Sequence, residues 1–199
     1  MRKLLVAVLV IAGIFAGRWA GNAVTQNSQL ADPGSVKAET VEPVKEQKLT
    51  VFNSPKRLSI PKINVLSDVE EVGEDEKGNM DVPKKVENVG WYKFGFKAGQ
   101  KGSVVLAGHL DDVNGDPAVF WDLNKLEAGD EIILTDEMGK EWTYVVTRNV
   151  TYPYDQFPLQ EVFAKDDNAY LNLITCEGSF DQSSKNYSHR TVVYSKLSK

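Results

Sequence analysis

Between Arg57 and Leu197 the chain is a succession of short apolar or alternating runs, and nearly every run ends at a glycine, proline, asparagine or aspartate. Runs of this length are too short for ordinary helices. They are also rich in β-branched and aliphatic residues, which suit a pleated, packed surface. Arg57–Val65 alternates apolar with polar and reads as one strand, with Pro61 marking an edge or a bulge. Met80–Pro83 reads as a short strand, and Val89–Tyr92 leads into a loop marked by Gly95, Gly99 and Gly102. Ser103–Ala107 is a buried strand closed by Gly108-His109; Glu131–Thr135 and Glu141–Val150 are two more strands. Leu171–Cys176 is a buried strand ended by Gly178, a polar loop spans Gly178–Ser188, and Arg190–Leu197 is the last strand. Pro117–Leu123 and Pro158–Phe163 read as short helical pieces, Pro117 standing at a suitable first helical position. Many short strands with turn signals between them predict a mainly β chain, folded as a closed or nearly closed β-barrel with small helices.

The organisation before the barrel follows from composition. Arg2 and Lys3 precede an apolar run from Leu4 to Gly17, then Arg18, then Trp19 to Val24. A basic start followed by an apolar core is a secretory pattern. With no clear Ala-x-Ala cleavage site, a snorkelling Arg18 and an interfacial Trp19, residues 1–24 read as an uncleaved membrane anchor, a cleaved secretory signal being the alternative. The basic residues before the run place the amino terminus inside the cell and the bulk of the chain outside. Residues 25–55 turn to Gln, Asn, Ser, Pro, Glu and Lys. They carry too little apolar surface to offset their ordering entropy, so they read as a flexible linker. Residues 56–199 are then one folded domain with its own core.

Composition also excludes several chemistries. A net charge of −5 with no basic cluster argues against nucleic acid as a partner. A single cysteine rules out an internal disulfide and a multi-cysteine zinc site, and nothing in the sequence calls for a metal or cofactor. The acidic residues Glu70, Glu71, Glu74, Asp75 and Glu76 read as a solvated loop, a calcium site being the sharper alternative. The lone thiol, Cys176, lies where a buried strand gives way to a loop, a place that fixes a nucleophile while leaving one side open. The competing reading is a small buried hydrophobe. A thiol becomes an acyl acceptor when a base or a cation stands near it. His109 ends another buried strand and is favoured as the imidazole over His189, which precedes Arg190 in a polar junction. Arg190 supplies a guanidinium able to bind a carbonyl or stabilise an oxyanion.

These residues carry a resemblance. Leu173-Ile174-Thr175-Cys176 resembles the Leu-x-Thr-Cys signature of sortases, Ala107-Gly108-His109 their histidine motif, and Arg190–Tyr194 their arginine-led last strand. The likeness runs from about Arg57 to the carboxyl end with the motifs in the family's order. Pro117–Leu123 and Cys176–Asp181 are most similar to class F sortases, while Asn172 stands where many sortases have threonine. The resemblance implies an eight-stranded β-barrel transpeptidase on the outer face of a Gram-positive membrane. Such an enzyme cuts a Leu-Pro-x-Thr-Gly-like sorting signal of surface proteins through a thioacyl-enzyme. An amine acceptor, such as a cell-wall precursor or a pilin lysine, then resolves it. Cys176 would be the nucleophile, His109 the general acid for the leaving amine, Arg190 the substrate and oxyanion ligand, and Thr175 part of the substrate-binding lining. Two other classes compete: a secreted cysteine peptidase that ends in hydrolysis, and a non-catalytic membrane-tethered binding domain.

Overall fold

The computed structural model describes residues 50–198. The anchor expected at residues 1–24, and all but the last few residues of the linker expected at 25–55, lie outside the described residues. Among the described residues no helix is long and apolar enough to cross a membrane.

Eight strands form a closed barrel. They are β1 (Pro55–Ile60), β2 (Val65–Val72), β3 (Val89–Tyr92), β4 (Gly102–Gly108), β5 (Glu131–Asp136), β6 (Glu141–Pro153), β7 (Ala169–Asp181) and β8 (Asn186–Leu197). Around the barrel the order is β1-β2-β3-β4-β7-β8-β6-β5, and β5 pairs back onto β1. Two neighbouring pairs are parallel, β2 with β3 and β4 with β7; the others are antiparallel. A parallel neighbour needs a long crossover. The connection from β2 to β3 supplies one such crossover, and the chain between β4 and β7 makes the other by way of β5 and β6 elsewhere in the barrel wall.

Alternate residues point inward, as strand pleating requires. Leu58, Ile60, Leu106, Leu134, Tyr144, Leu173 and Val193 meet in the interior with negligible exposure. Each such aliphatic side chain contributes roughly 1.5–3 kcal/mol through burial. A second apolar cluster lies outside the barrel: Val105, Val192 and Tyr194 from β4 and β8 pack against Val162, with Phe157, Phe163 and Ile174 around them. Val162 belongs to α1 (Leu159–Val162), on the connection between β6 and β7. Strands β4 and β7 are thus covered on both faces, which is why their sequences read as continuous apolar runs rather than alternating ones. Asn172 is 2% exposed on the outer face of β7 and donates to the Val162 carbonyl at 2.7 Å, tying α1 down. Arg148 pairs with Glu161 of α1 and lies over the Tyr194 ring, 3.7 Å from its centroid.

The architecture agrees with the sequence reading; several boundaries differ for identifiable reasons. Arg57–Val65 is not one strand. Pro61 starts a 3₁₀ turn over Pro61–Ile63, Asn64 takes a left-handed φ of 54°, and β1 folds back on β2 with Ile60 opposite Val65. Proline removes a ladder donor and asparagine tolerates the left-handed region, so the pair makes a hairpin where alternation alone suggested continuity. Glu70 and Glu71 accordingly lie in β2, not in a loop. Of Met80–Pro83 only Met80 pairs, in an isolated bridge to Glu74. Pro117 bridges Asp111 instead of starting a helix, and the 3₁₀ turn falls later, at Leu123–Lys125. The polar loop expected over Gly178–Ser188 is mostly strand: β7 runs to Asp181 and β8 begins at Asn186. Beyond the barrel both faces of this hairpin meet water, so no apolar alternation marks it.

Candidate active site

Cys176 and Arg190 are directly opposed in the antiparallel β7–β8 pair. Opposed residues share a face with their Cβ atoms about 5 Å apart. Both side chains are half-buried on the outer face, at the floor of a groove of about 810 Å³. Ala107 and Ile174 continue the floor, Met80 and Val82 form one wall, and Phe157 and Phe163 form the other. The groove is mainly apolar.

Arg190 is held by its own hairpin. Its Nη1 donates to the carbonyls of Tyr187 (3.2 Å) and His189 (2.8 Å), and its Nη2 donates to the Asn186 amide oxygen. Among the described residues this leaves the Nε hydrogen and one Nη2 hydrogen unspent, which are the donors a substrate carbonyl would use. Asn186 and Tyr187 sit in the stretch that reads as loop from sequence, and only strand pairing reveals their part.

The parallel β4–β7 register pairs Ala107 with Ile174. One step further the Thr175 hydroxyl donates to the Gly108 carbonyl at 3.0 Å. The next residues along are His109 and Cys176, so the two strands bring their backbones to neighbouring positions. The His109 ring turns toward the β2–β3 connection, with Nε2 2.9 Å from the Pro83 carbonyl. A carbonyl has no hydrogen to give, so Nε2 carries the proton, and a neutral ring then keeps Nδ1 as its acceptor. Among the described residues no hydrogen bond joins imidazole to thiol. Gly108 leaves no space for a side chain: a Cβ there would come within 2.5 Å of the Phe120 ring. Thr175 borders the groove, but its side chain is 2% exposed and its hydroxyl ties β7 to β4. His189, next to Arg190 in β8, faces the opposite side and holds the Ser188 hydroxyl at 2.8 Å from Nδ1.

Just past Cys176 the hairpin bulges between Glu177 and Phe180. Gly178 makes this possible with a φ of 87°, where an added Cβ would meet the Ser188 hydroxyl at 2.3 Å. A smaller cleft of about 480 Å³ lies against this bulge, bordered by Asp111, Trp121, Glu177 and Tyr187.

Burial pushes the Cys176 thiol above its ordinary range; the Arg190 cation pulls it back down, and the Asp111 carboxylate pushes it up again. The thiol is therefore protonated near neutrality. Its alkylation by iodoacetamide is expected to inflect above the ordinary thiol value of about 8.5. A rate constant that levels off below pH 8 would show that the thiolate is stabilised instead.

The acidic run does not converge. Glu70 accepts from the Lys84 backbone at 2.9 Å and from the Asn88 amide at 2.8 Å, Tyr92 donates to Glu74, and Asp75 caps its own turn through Lys77 and Asn79. Among the described residues no group of His, Cys, Asp and Glu is arranged to hold a metal ion.

A thiol and a guanidinium opposed on paired strands, at the floor of a peptide-sized groove outside a closed barrel, are the parts of a barrel-built cysteine acyl-transfer protein. A sortase-domain family model matches residues 58–198, and the chain belongs to the sortase family, whose members are cysteine transpeptidases. Solved structures repeat the fold. Sortase C-1 from Actinomyces oris aligns with a TM-score of 0.57 at 22% identity, over 72% of this chain and 73% of that one. Listeria monocytogenes sortase A gives 0.55 at 22% identity, over 75% and 89%. A Clostridium perfringens sortase D5 transpeptidase gives 0.54 at 21% identity, over 75% and 83%. No curated protein sequence matches the chain. Likeness to class F rests on the two sequence motifs alone.

Proposed function

We propose that this sortase-family chain is a membrane-tethered transpeptidase on the outer face of the cell, acting on proteins that carry a Leu-Pro-x-Thr-Gly-like sorting signal. The observation that carries the reading is the Cys176–Arg190 pair on the floor of the groove. The signal lies extended along the apolar floor, with its threonine carbonyl over the sulfur. Cys176 Sγ attacks that carbon while the unspent Arg190 hydrogens take the developing negative charge on oxygen. The threonine–glycine C–N bond breaks, and the proton lost by the thiol leaves with the glycine amine through His109 Nδ1. An acceptor amine, from a cell-wall precursor or a pilin lysine, then attacks the thioester. It loses a proton to His109, forms the new amide and releases Cys176 as thiol. The largely apolar segment at residues 4–24, interrupted by Arg18, supplies the tether.

The test is intact-mass analysis of the full-length protein in detergent, mixed with sorting-signal peptides and then with glycyl or lysyl amines. A peptide adduct ending at threonine, discharged faster by the amine, is the expected result. An adduct that discharges at one rate with or without amine identifies a hydrolase. Absence of any adduct across the peptide set removes the proposal.

A further inference from the structure

The parallel pairing of β4 with β7 stops at the barrel rim, yet both chains continue beyond it. The continuation of β4 carries His109 and is itself fixed. The His109 carbonyl accepts from the Phe120 amide at 3.0 Å, the Leu110 carbonyl accepts from the Ala118 amide at 2.9 Å, and Asp111 bridges Pro117. The continuation of β7 turns into β8, which carries Arg190. Between these two bodies runs a side-chain bond in which the Tyr187 hydroxyl donates to Asp111 Oδ2. A longer Asn124–Glu177 contact of 3.4 Å runs beside it. Tyr187 is anchored at its other end: its ring packs on Phe180, centroids 5.2 Å apart, and its carbonyl receives Arg190 Nη1. Neither Asp111 nor Tyr187 has a part in the acyl-transfer steps above.

We propose that Asp111 and Tyr187 are the positioning pair of this site: their bond sets the imidazole loop against the guanidinium hairpin, and with it the Asp111 charge near the thiol. Burial does most to raise the proton affinity of Cys176, Arg190 lowers it, and Asp111 adds a smaller push upward. The other ionisable groups bordering the two clefts are Tyr187 and Arg190 on β8, Glu177 beside the thiol on β7, and Glu74 and Asp155 on the groove walls; His109, one residue beyond β4, lines neither cleft and turns to the Pro83 carbonyl. The turnover part rests on the transpeptidase reading; the thiol part does not.

Two substitutions in the full-length protein separate tie from charge. Asp111→Asn keeps a carbonyl oxygen for the Tyr187 hydroxyl but removes the negative charge. Tyr187→Phe removes the bond but keeps the charge. In alkylation against pH, Asp111→Asn is expected to move the Cys176 midpoint down by a few tenths of a pH unit, and Tyr187→Phe is expected not to lower it. In peptide transfer, Tyr187→Phe is expected to lower kcat about tenfold with KM nearly constant, as misplacement of reacting groups does. A wild-type midpoint in Asp111→Asn, or wild-type kcat in Tyr187→Phe, overturns the pair. If the unsubstituted protein forms no adduct, the transpeptidase reading falls, and the alkylation midpoints still decide the role of Asp111.

Discussion

Replacing Cys176 with alanine is expected to abolish the covalent peptide adduct completely while leaving the barrel folded. The substitution deletes one sulfur that has no hydrogen-bond partner among the described residues, from a side chain only half-buried. The cost in stability is about 1 kcal/mol, a fall in Tm of about 2–4 °C. No other residue can inherit the chemistry, because the chain has a single cysteine. Intact-mass spectrometry after incubation with a sorting-signal peptide checks the first half of this expectation and a thermal melt the second. An adduct persisting in the alanine variant would place the nucleophile elsewhere and undo the functional reading.

The second large effect is expected at Arg190. Truncation to alanine removes the donors aimed at the developing oxyanion, and loss of one such group lowers kcat by about 10²–10³-fold. Lysine is expected to recover little. The guanidinium spans the Tyr187 and His189 carbonyls with one nitrogen and Asn186 with another, and still presents unspent hydrogens. A single ammonium has neither that reach nor that planar fork. The thiol reports the change independently. Arg190 lowers the proton affinity of Cys176, so removing the cation raises it further and alkylation near pH 8 slows. Steady-state transfer kinetics with the two variants, together with their alkylation rates, test the assignment. An alanine variant that transfers peptide at the wild-type rate would reduce Arg190 to a strut of its hairpin.

The barrel was readable from the sequence because its interior demands alternation and its covered strands demand unbroken apolar runs. The run ending at Ala107 and the run ending at Thr175 differ from the alternating Glu131–Thr135 because a second cluster lies over β4 and β7. The same runs located His109, one step beyond the end of β4, and Cys176, one step beyond the buried stretch of β7. What residue types did not convey was anything settled by pairing across sequence distance. The register that sets Cys176 opposite Arg190 depends on a hairpin whose polar residues look like loop. The Asp111–Tyr187 bond joins residues far apart in the chain by one hydroxyl hydrogen, leaving no pattern in either neighbourhood. At Pro61 and Asn64, two residues acting together turned a strand into a hairpin, and at Pro117 a bridge to Asp111 displaced a helical turn that local preference favoured.

The groove's second wall is an attachment to the barrel, not an outgrowth of its core. Phe157 and Phe163 rest on the small patch built by Val105, Val162 and Val192, fastened by Asn172 and by the Arg148–Glu161 pair. Substitutions in that wall spend only the stability of the patch and leave the interior untouched. A change of side chain in that wall therefore reshapes the groove from outside, independently of the packing that closes the barrel.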